Sequence, residues 1–266
     1  GTGELIIDAI GRGCRRIVVG LGGSATNDGG AGLLRALGYK FLDAHNIELT
    51  NTIELLECVA TILPPANSSV EGVEISVAVD VDNPLCGERG ASYIFGGQKG
   101  ADAATIVRLD NALRHYADVV AEWRGGDLSD NAGMGAAGGA GFAFGAVLGA
   151  MPTSGIELIL NIIDFDNIIA DATLVVTGEG RIDRQTAMGK APAGVARRAQ
   201  RLGVPCVAVG GSVAWADIPV ETPFAYIDAA TPANMPLDEA MRHPVAISNL
   251  RAAGSRVARW WLENRE

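Results

Sequence analysis

Short apolar runs that break off at glycine recur along this chain, and stretches of helical spacing separate them. Ile17-Val18-Val19 is the first such run, and residues 73–79, 173–176, 202–211 and 224–228 repeat the arrangement. Apolar segments of this length bounded by turn residues read as buried strands, whereas apolar residues three and four apart read as helix. Helical spacing covers residues 1–13, with a stripe of Leu5, Ile6, Ala9 and Ile10, and then residues 52–60 and 101–124. It returns at residues 245–263, where Ile247, Leu250, Val257, Trp260 and Trp261 form the expected core stripe. A further short strand is expected at residues 39–43, and residues 61–72 read as loop from their prolines and polar side chains. Residues 131–150 are rich in Gly and Ala, but Phe142, Phe144, Val147 and Leu148 predict a packed helix there rather than a linker. Helix and connection follow over 154–172, with Asp164 and Asp166 capping or solvated. Alternation of strand and helix predicts an α/β protein with a parallel sheet covered by helices on both faces.

Composition narrows the class. A chain of 266 residues is large for one domain and sufficient for two, and 48% hydrophobic residues with 35 glycines suit tight strand-to-helix turns. No apolar run is long enough to span a bilayer, and no signal-peptide pattern opens the sequence, so no membrane partner is expected. With 31 acidic against 21 basic residues the formal charge is −10, which argues against a nucleic-acid surface. Any anionic ligand must therefore be held by a local arrangement. Cys14, Cys58, Cys86 and Cys206 lie far apart with no CxxC pair, which predicts reduced thiols and a cytoplasmic protein. His45, His115 and His243 are isolated; His115 reads as an ordinary helix-face residue, and His243, before Pro244, as the start of a helix.

Three stretches carry the candidate chemistry. In the first, residues 20–38, a strand runs into a turn holding Gly20, Gly22, Gly23, Gly29, Gly30 and Gly32 before a helix begins. Such a turn can leave backbone N–H groups and a positive dipole end for an anion. Ser24, Thr26 and Asn27 can donate to phosphate oxygens, and Asp28 can hold a hard cation. The plainer alternative makes Asn27 or Asp28 an N-cap. In the second stretch, Asp80 and Asp82 stand at or beyond the end of the 73–79 strand, the usual place for ligand groups in open α/β sheets. An Asx turn into Asn83-Pro84 is the alternative for Asp82. Gln98 and Lys99 can approach a phosphate from the GGQKGA turn, although an exposed turn lysine is the commoner outcome. In the third, a strand is expected to end in the glycine turn Gly178-Glu179-Gly180. Glu179, Arg181, Asp183, Thr186 and Lys190 then precede a helix beginning near Pro192, unless they form only a solvated loop.

The stretches GLGGSATNDGGAGLLRALG, VAVDVDNPLCGERGASYIFGGQKGA and VVTGEGRIDRQTAMGKAPAGVA resemble, in order and spacing, signatures of the bacterial-type glycerate kinase family. The resemblance implies two α/β domains: a Rossmann-like three-layer parallel sheet, incomplete here, and an inserted α/β domain. The inserted domain with the Gly-rich loop would cover residues 1–165, and the C-terminal part of the Rossmann-like domain residues 166–266. The family's N-terminal strand–loop and its Asp-Gly-Gly-Glu-Gly stretch have no counterpart in these residues, so activity is expected to depend on their being supplied. The implied reaction moves a phosphoryl group from ATP, with Mg²⁺, to D-glycerate, giving 2-phosphoglycerate or 3-phosphoglycerate. Kinase chemistry must position the nucleophile and neutralise charge on the transferring group. On that basis Asp80, Asp183 and Lys190 are the expected catalytic residues. Gly22, Gly23, Ser24, Thr26, Asn27, Gly178, Glu179 and Arg181 would bind substrate or phosphate, and Asp28 and Asp82 metal. Which of Asp80 and Asp183 serves as base stays open. No Walker A sequence occurs, because Gly189-Lys190 is followed by Ala191.

Two other classes compete. Residues 20–25 satisfy G-x-G-x-x-A after a strand, and Asp43 lies near the distance at which a dinucleotide-binding oxidoreductase meets the ribose of NAD(P). A non-catalytic ligand-binding fragment is the other. The oligomeric state, a homodimer included, is open.

Overall fold

The computed structural model describes residues 1–184, 186 and 190–264. In it the first apolar run becomes β1 (Arg16–Leu21), paired in parallel with β4 (Glu74–Val79), Arg16 opposite Glu74 and Leu21 opposite Val79. A third strand, β5 (Pro152–Ser154), continues this sheet in parallel beside β4 and has no counterpart among the predicted elements. Its proline leads the strand, where no ladder N–H is missed.

The chain divides into two units, Gly1–Leu158 and Ile159–Glu266, each taken by itself below. In the first, α1 (Thr2–Gly11) precedes β1, and α2 (Ala31–Ala36) follows the Gly-rich turn. Of the stripe expected on α1, Ile6 is buried and Leu5 is 71% exposed. β2 (Lys40–Leu42) pairs antiparallel with β3 (Thr61–Leu63). The loop expected at residues 61–72 therefore begins with a strand: Ile62 is buried opposite the buried Phe41, and the prolines act only after Leu63. Among the described residues the strands form two parallel three-stranded sheets, consistent with the expected pair of α/β domains, together with this antiparallel pair, which alternation alone did not indicate.

α3 (Thr52–Cys58) is capped by Asn51, whose side chain accepts from the N–H groups of Ile53 and Glu54. α5 (Ala103–Arg124) begins at Asp102, which accepts from Thr105 N–H at 2.8 Å, and ends at Gly125 in the left-handed region. Its inner face brings Leu113, Tyr116 and Val120 into a core with Leu34, Phe41, Leu55 and Phe142. Tyr116 meets Phe41 and Phe142 edge-on, with ring centroids 6.0 and 5.8 Å apart. Packing of α5 against β3 also seats His115, whose Nε2 lies 2.9 Å from the carbonyl oxygen of Val59.

The Gly/Ala-rich segment is only partly the helix expected of it. Within α6 (Ala136–Phe142), residues Ala137, Gly138 and Gly139 are left-handed, and a π-turn follows at Ala143–Val147. Its apolar side chains pack as expected, with Phe142 and Phe144 fully buried.

α7 (Gly155–Ile162) crosses from the first unit to the second, and α8 (Phe165–Ile168) follows, with Asp164 at its N-cap. Asp166 is partly solvated, as expected, and also pairs with Arg198. β6 (Val175–Ile182), β7 (Cys206–Val213) and β8 (Tyr226–Ala229) form the parallel sheet of this unit in that order. α9 (Ala191–Arg201), with Pro192 in its first turn, packs on β6 and β7. After α10 (Leu237–Ala240), α11 (His243–Asn264) packs on β8, where Trp260 stacks on Tyr226 at 5.2 Å. Val257 is buried on α11, but Ile247 and Leu250 of the expected stripe are 37% and 57% exposed. Among the described residues, no helix is long and apolar enough to cross a membrane.

Candidate functional site

Parallel pairing of β1 with β4 brings two of the three chemical stretches to the same sheet edge. Leu21 lies opposite Val79, so the Gly22 turn and Asp80 leave the sheet side by side at its C-terminal end. Asp80 is exposed and its carboxylate makes no hydrogen bond or ion pair among the described residues. Asp82 lies farther out, 78% exposed, and pairs with Arg89 at 3.3 Å.

Hydrogen bonding divides the Gly-rich turn into two parts. In its second half four donors at and before the start of α2 are used within the protein. Gly29 N–H donates to the Gly138 carbonyl at 2.9 Å, and Ala31 N–H to the Asp28 carbonyl at 3.0 Å. Gly30 and Gly32 N–H each donate to a carboxylate oxygen of Asp28 at 3.1 Å. The expectation that the start of this helix offers its N–H groups to an anion is therefore corrected in part: Asp28, two residues before the N-cap Gly30, accepts from the N–H groups of Gly30 and Gly32. In the first half, the N–H groups of Gly22, Gly23 and Ser24 make no hydrogen bond among the described residues. The receptive part of the turn thus lies next to Asp80.

Lys99 closes this half of the turn. It ends a 3₁₀ turn, Gly97–Lys99, after α4 (Ala91–Phe95). Its Nζ donates to Ser24 Oγ at 3.0 Å and to the Thr26 carbonyl at 2.6 Å. The lysine is half-buried rather than the exposed turn residue the sequence suggests. Burial lowers its pKa, and the charge of Asp28 partly opposes that shift. Gly22, Gly23, Ser24, Gln98 and Lys99 line one cleft of ≈ 120 Å³. Asn27 points away from the cleft: its Nδ2 donates to the buried Ser92 Oγ at 2.8 Å, and its Oδ1 is buried with no partner among the described residues.

The Gly/Ala-rich segment, given no role by the sequence, holds the turn in place. Gly138 is left-handed (φ +70°), and a Cβ there would stand 1.9 Å from the Thr26 carbonyl oxygen. Only glycine fits this crossing. The signal was present as a run of small residues, but sequence spacing does not say which loop such a run touches.

The third stretch lies in the second unit and differs from expectation. Gly178-Glu179-Gly180 is not a turn, because β6 runs through it: Gly178 lies opposite Val209, Glu179 opposite Gly210 and Arg181 opposite Ser212. Gly178 serves close strand approach, whereas a Cβ on Gly180 would meet open space. A Cβ on Gly178 would stand 2.4 Å from the Val209 carbonyl oxygen. Glu179 Oε1 is buried without a partner among the described residues, whereas Arg181 is exposed. Beyond the strand, Asp183 N–H donates to Thr186 Oγ1 at 3.1 Å, and Thr186 N–H donates to Asp183 Oδ1 at 3.2 Å. Lys190 is exposed at the N-cap of α9; Gly189, before it, lies outside the described residues.

The dinucleotide reading fails on topology. Asp43 follows β2, which pairs with β3 in the antiparallel sheet and not beside β1. Its Oδ1 is taken by the N–H groups of His45 and Ile47, each at 2.8 Å. Among the described residues no group of three His, Cys, Asp or Glu side chains is placed to hold a metal.

Comparison with known proteins agrees with the resemblance seen in the motifs. The model of the glycerate kinase family matches residues 1–262. A glycerate kinase of Bacillus cereus is 43% identical over 263 residues, covering 98% of this chain and 68% of the relative. A glycerate 2-kinase of Escherichia coli is 47% identical over 219 residues, covering 80% of this chain and 56% of the relative. A crystal structure of a chain from Salmonella typhimurium LT2, described as glycerate kinase 2, superposes with a TM-score of 0.75 at 39% identity. That match takes in 97% of this chain and 68% of the solved one. This chain thus spans about two thirds of the length of the Bacillus cereus and Salmonella proteins. On the match over residues 1–262 and the shared fold, the chain belongs to the glycerate kinase family.

Proposed function

We propose that this chain carries the phosphoryl-transfer activity of its family, moving the γ-phosphoryl group of ATP to a hydroxyl of D-glycerate. The observation that carries the reading is the juxtaposition of the open Gly22–Ser24 N–H groups with the unpartnered carboxylate of Asp80 at one sheet edge. An anion seat beside a carboxylate is what a kinase of a small hydroxy acid requires. The name of the Escherichia coli relative, glycerate 2-kinase, favours 2-phosphoglycerate over the 3-isomer as product.

In the first unit, Gly22, Gly23 and Ser24 hold a phosphate or substrate carboxylate, Thr26 shapes the turn, and Asn27 anchors it to Ser92. In the second, Arg181 and Lys190 are exposed cations for the phosphates, with Glu179 and Gly178 on the strand that leads to them. Asp80 or Asp183 accepts the proton of the attacking hydroxyl as its oxygen bonds to the γ-phosphorus and the bond to ADP breaks. The donor set fits a magnesium ion: Mg²⁺ binds through one or two carboxylates together with substrate phosphates, and Asp80 has both oxygens available. Bound with the nucleotide, that ion would supply neutralisation of phosphate charge. Asp82, tied to Arg89, and Asp28, tied to Gly30 and Gly32, have fewer oxygens to offer it.

The test is phosphorus NMR of the product formed from ATP, Mg²⁺ and D-glycerate. A 2-phosphoglycerate resonance growing in step with ADP supports the reading. ADP formed without any phosphoglycerate overturns it.

A further inference from the structure

Lys99 is a half-buried cation without a carboxylate partner. Among the described residues it makes no ion pair, and its ammonium is held by two neutral acceptors, Ser24 Oγ at 3.0 Å and the Thr26 carbonyl at 2.6 Å. An ammonium has three donors, so one remains. Charge removed from water without a counter-charge is unfavourable, and the lowered pKa of Lys99 expresses that cost. The other groups at this point are also donors: the N–H groups of Gly22, Gly23 and Ser24 are open, and Lys99 and Gln98 line the same cleft with them. Asp28, the nearby acid, has its oxygens engaged by Gly30 and Gly32. The cleft therefore gathers open backbone donors beside one cation that, among the described residues, has no carboxylate partner.

We propose that Lys99 and the Gly22–Ser24 turn form one oxyanion seat, in which the free ammonium hydrogen of Lys99 meets an oxygen of a phosphate or carboxylate resting on the three backbone N–H groups. The two sources of that oxyanion, the nucleotide's phosphate chain and the carboxylate of glycerate, rest on the kinase reading above; the seat itself rests on the geometry. Lys99 also joins two segments of chain, since it reaches from the 3₁₀ turn after α4 to the turn that follows β1.

Amine labelling of the wild-type chain, quantified for each lysine, tests this without a variant. Inorganic pyrophosphate and D-glycerate are added in separate arms. Labelling of Lys99 is expected to fall severalfold with at least one of them, while Lys40, paired with Glu48 on the surface of the same unit, stays unchanged. Protection by pyrophosphate alone assigns the seat to the nucleotide, and protection by glycerate alone to the acceptor. Protection by neither, or equal protection of Lys40, overturns the proposal. Binding of the protecting anion is then measured on Lys99→Met, Lys99→Arg and, as a charge control, Lys40→Met, each checked for an unchanged melting profile. Loss of one charge-assisted hydrogen bond corresponds to roughly ten- to a hundredfold weaker binding by Lys99→Met, with partial rescue by Lys99→Arg and none of the loss in Lys40→Met. Protection of Lys99 in a protein that forms no phosphoglycerate leaves the seat standing and removes the kinase reading. Glycerate turnover with an unaltered KM in Lys99→Met does the reverse.

Discussion

Gly138 lies against the carbonyl oxygen of Thr26 with so little space that a Cβ would stand 1.9 Å from it. The same glycine accepts the N–H of Gly29 at 2.9 Å, so one small-residue segment fixes the Gly-rich turn on both sides of Asn27 and Asp28. Gly138→Ala adds a methyl group to this contact and places a Cβ on a left-handed residue. Left-handed strain of about 1–2 kcal/mol and overpacking of about 1–3 kcal/mol predict a loss of roughly 2–5 kcal/mol in urea unfolding. Activity is expected to fall further than stability does, because relief of the clash displaces Thr26.

Asp28 binds the start of α2 through both oxygens. Replacing it by Ala is expected to lower stability by about 1–2 kcal/mol, and by Asn less, since one oxygen acceptor remains. The magnesium concentration for half-maximal rate is expected to be unchanged in Asp28→Asn; a marked rise would restore Asp28 as a metal ligand.

Thiol reactivity should divide the four cysteines in two. Cys14 and Cys58 are exposed, whereas Cys86 and Cys206 are buried. Burial, followed by the charge of Asp110, pushes the Cys86 thiol up to about 12, and burial alone pushes Cys206 up to about 12. Because the thiolate is the reactive form, a raised pKa keeps both thiols protonated and inert through pH 8. Titration of the native protein with a disulfide reagent at that pH is expected to modify Cys14 and Cys58 promptly, and Cys86 and Cys206 only after unfolding.

Strand and helix identities were legible where a pattern was long and its neighbours were local. Residues 101–124 announced α5 by periodicity, and Val73 to Val79 announced β4. Features that depend on a distant partner were not legible. Thr61–Leu63 reads as loop until Phe41 is placed opposite Ile62, and Gly178-Glu179-Gly180 reads as a turn until β7 is laid beside it. Glycine signals a turn or a close approach equally, and only the partner strand separates the two. The site shows the same division. Gly22, Gly23, Ser24 and Asp80 were visible as residues beyond strand ends and Lys99 as a turn cation able to approach a phosphate, but its half-burial and its bonds to Ser24 and Thr26 depend on where α4 and a 3₁₀ turn place it.

The most direct measurement is ADP formation with MgATP, with and without D-glycerate, by this chain and by a longer chain supplying the remaining third of its relatives' length. Asp80→Asn and Asp183→Asn are assayed beside them. The account predicts glycerate-dependent ADP release, reduced by about 10²–10⁴ in whichever variant removes the base. Absence of glycerate-dependent release from both chains, or full turnover in both variants, would contradict it.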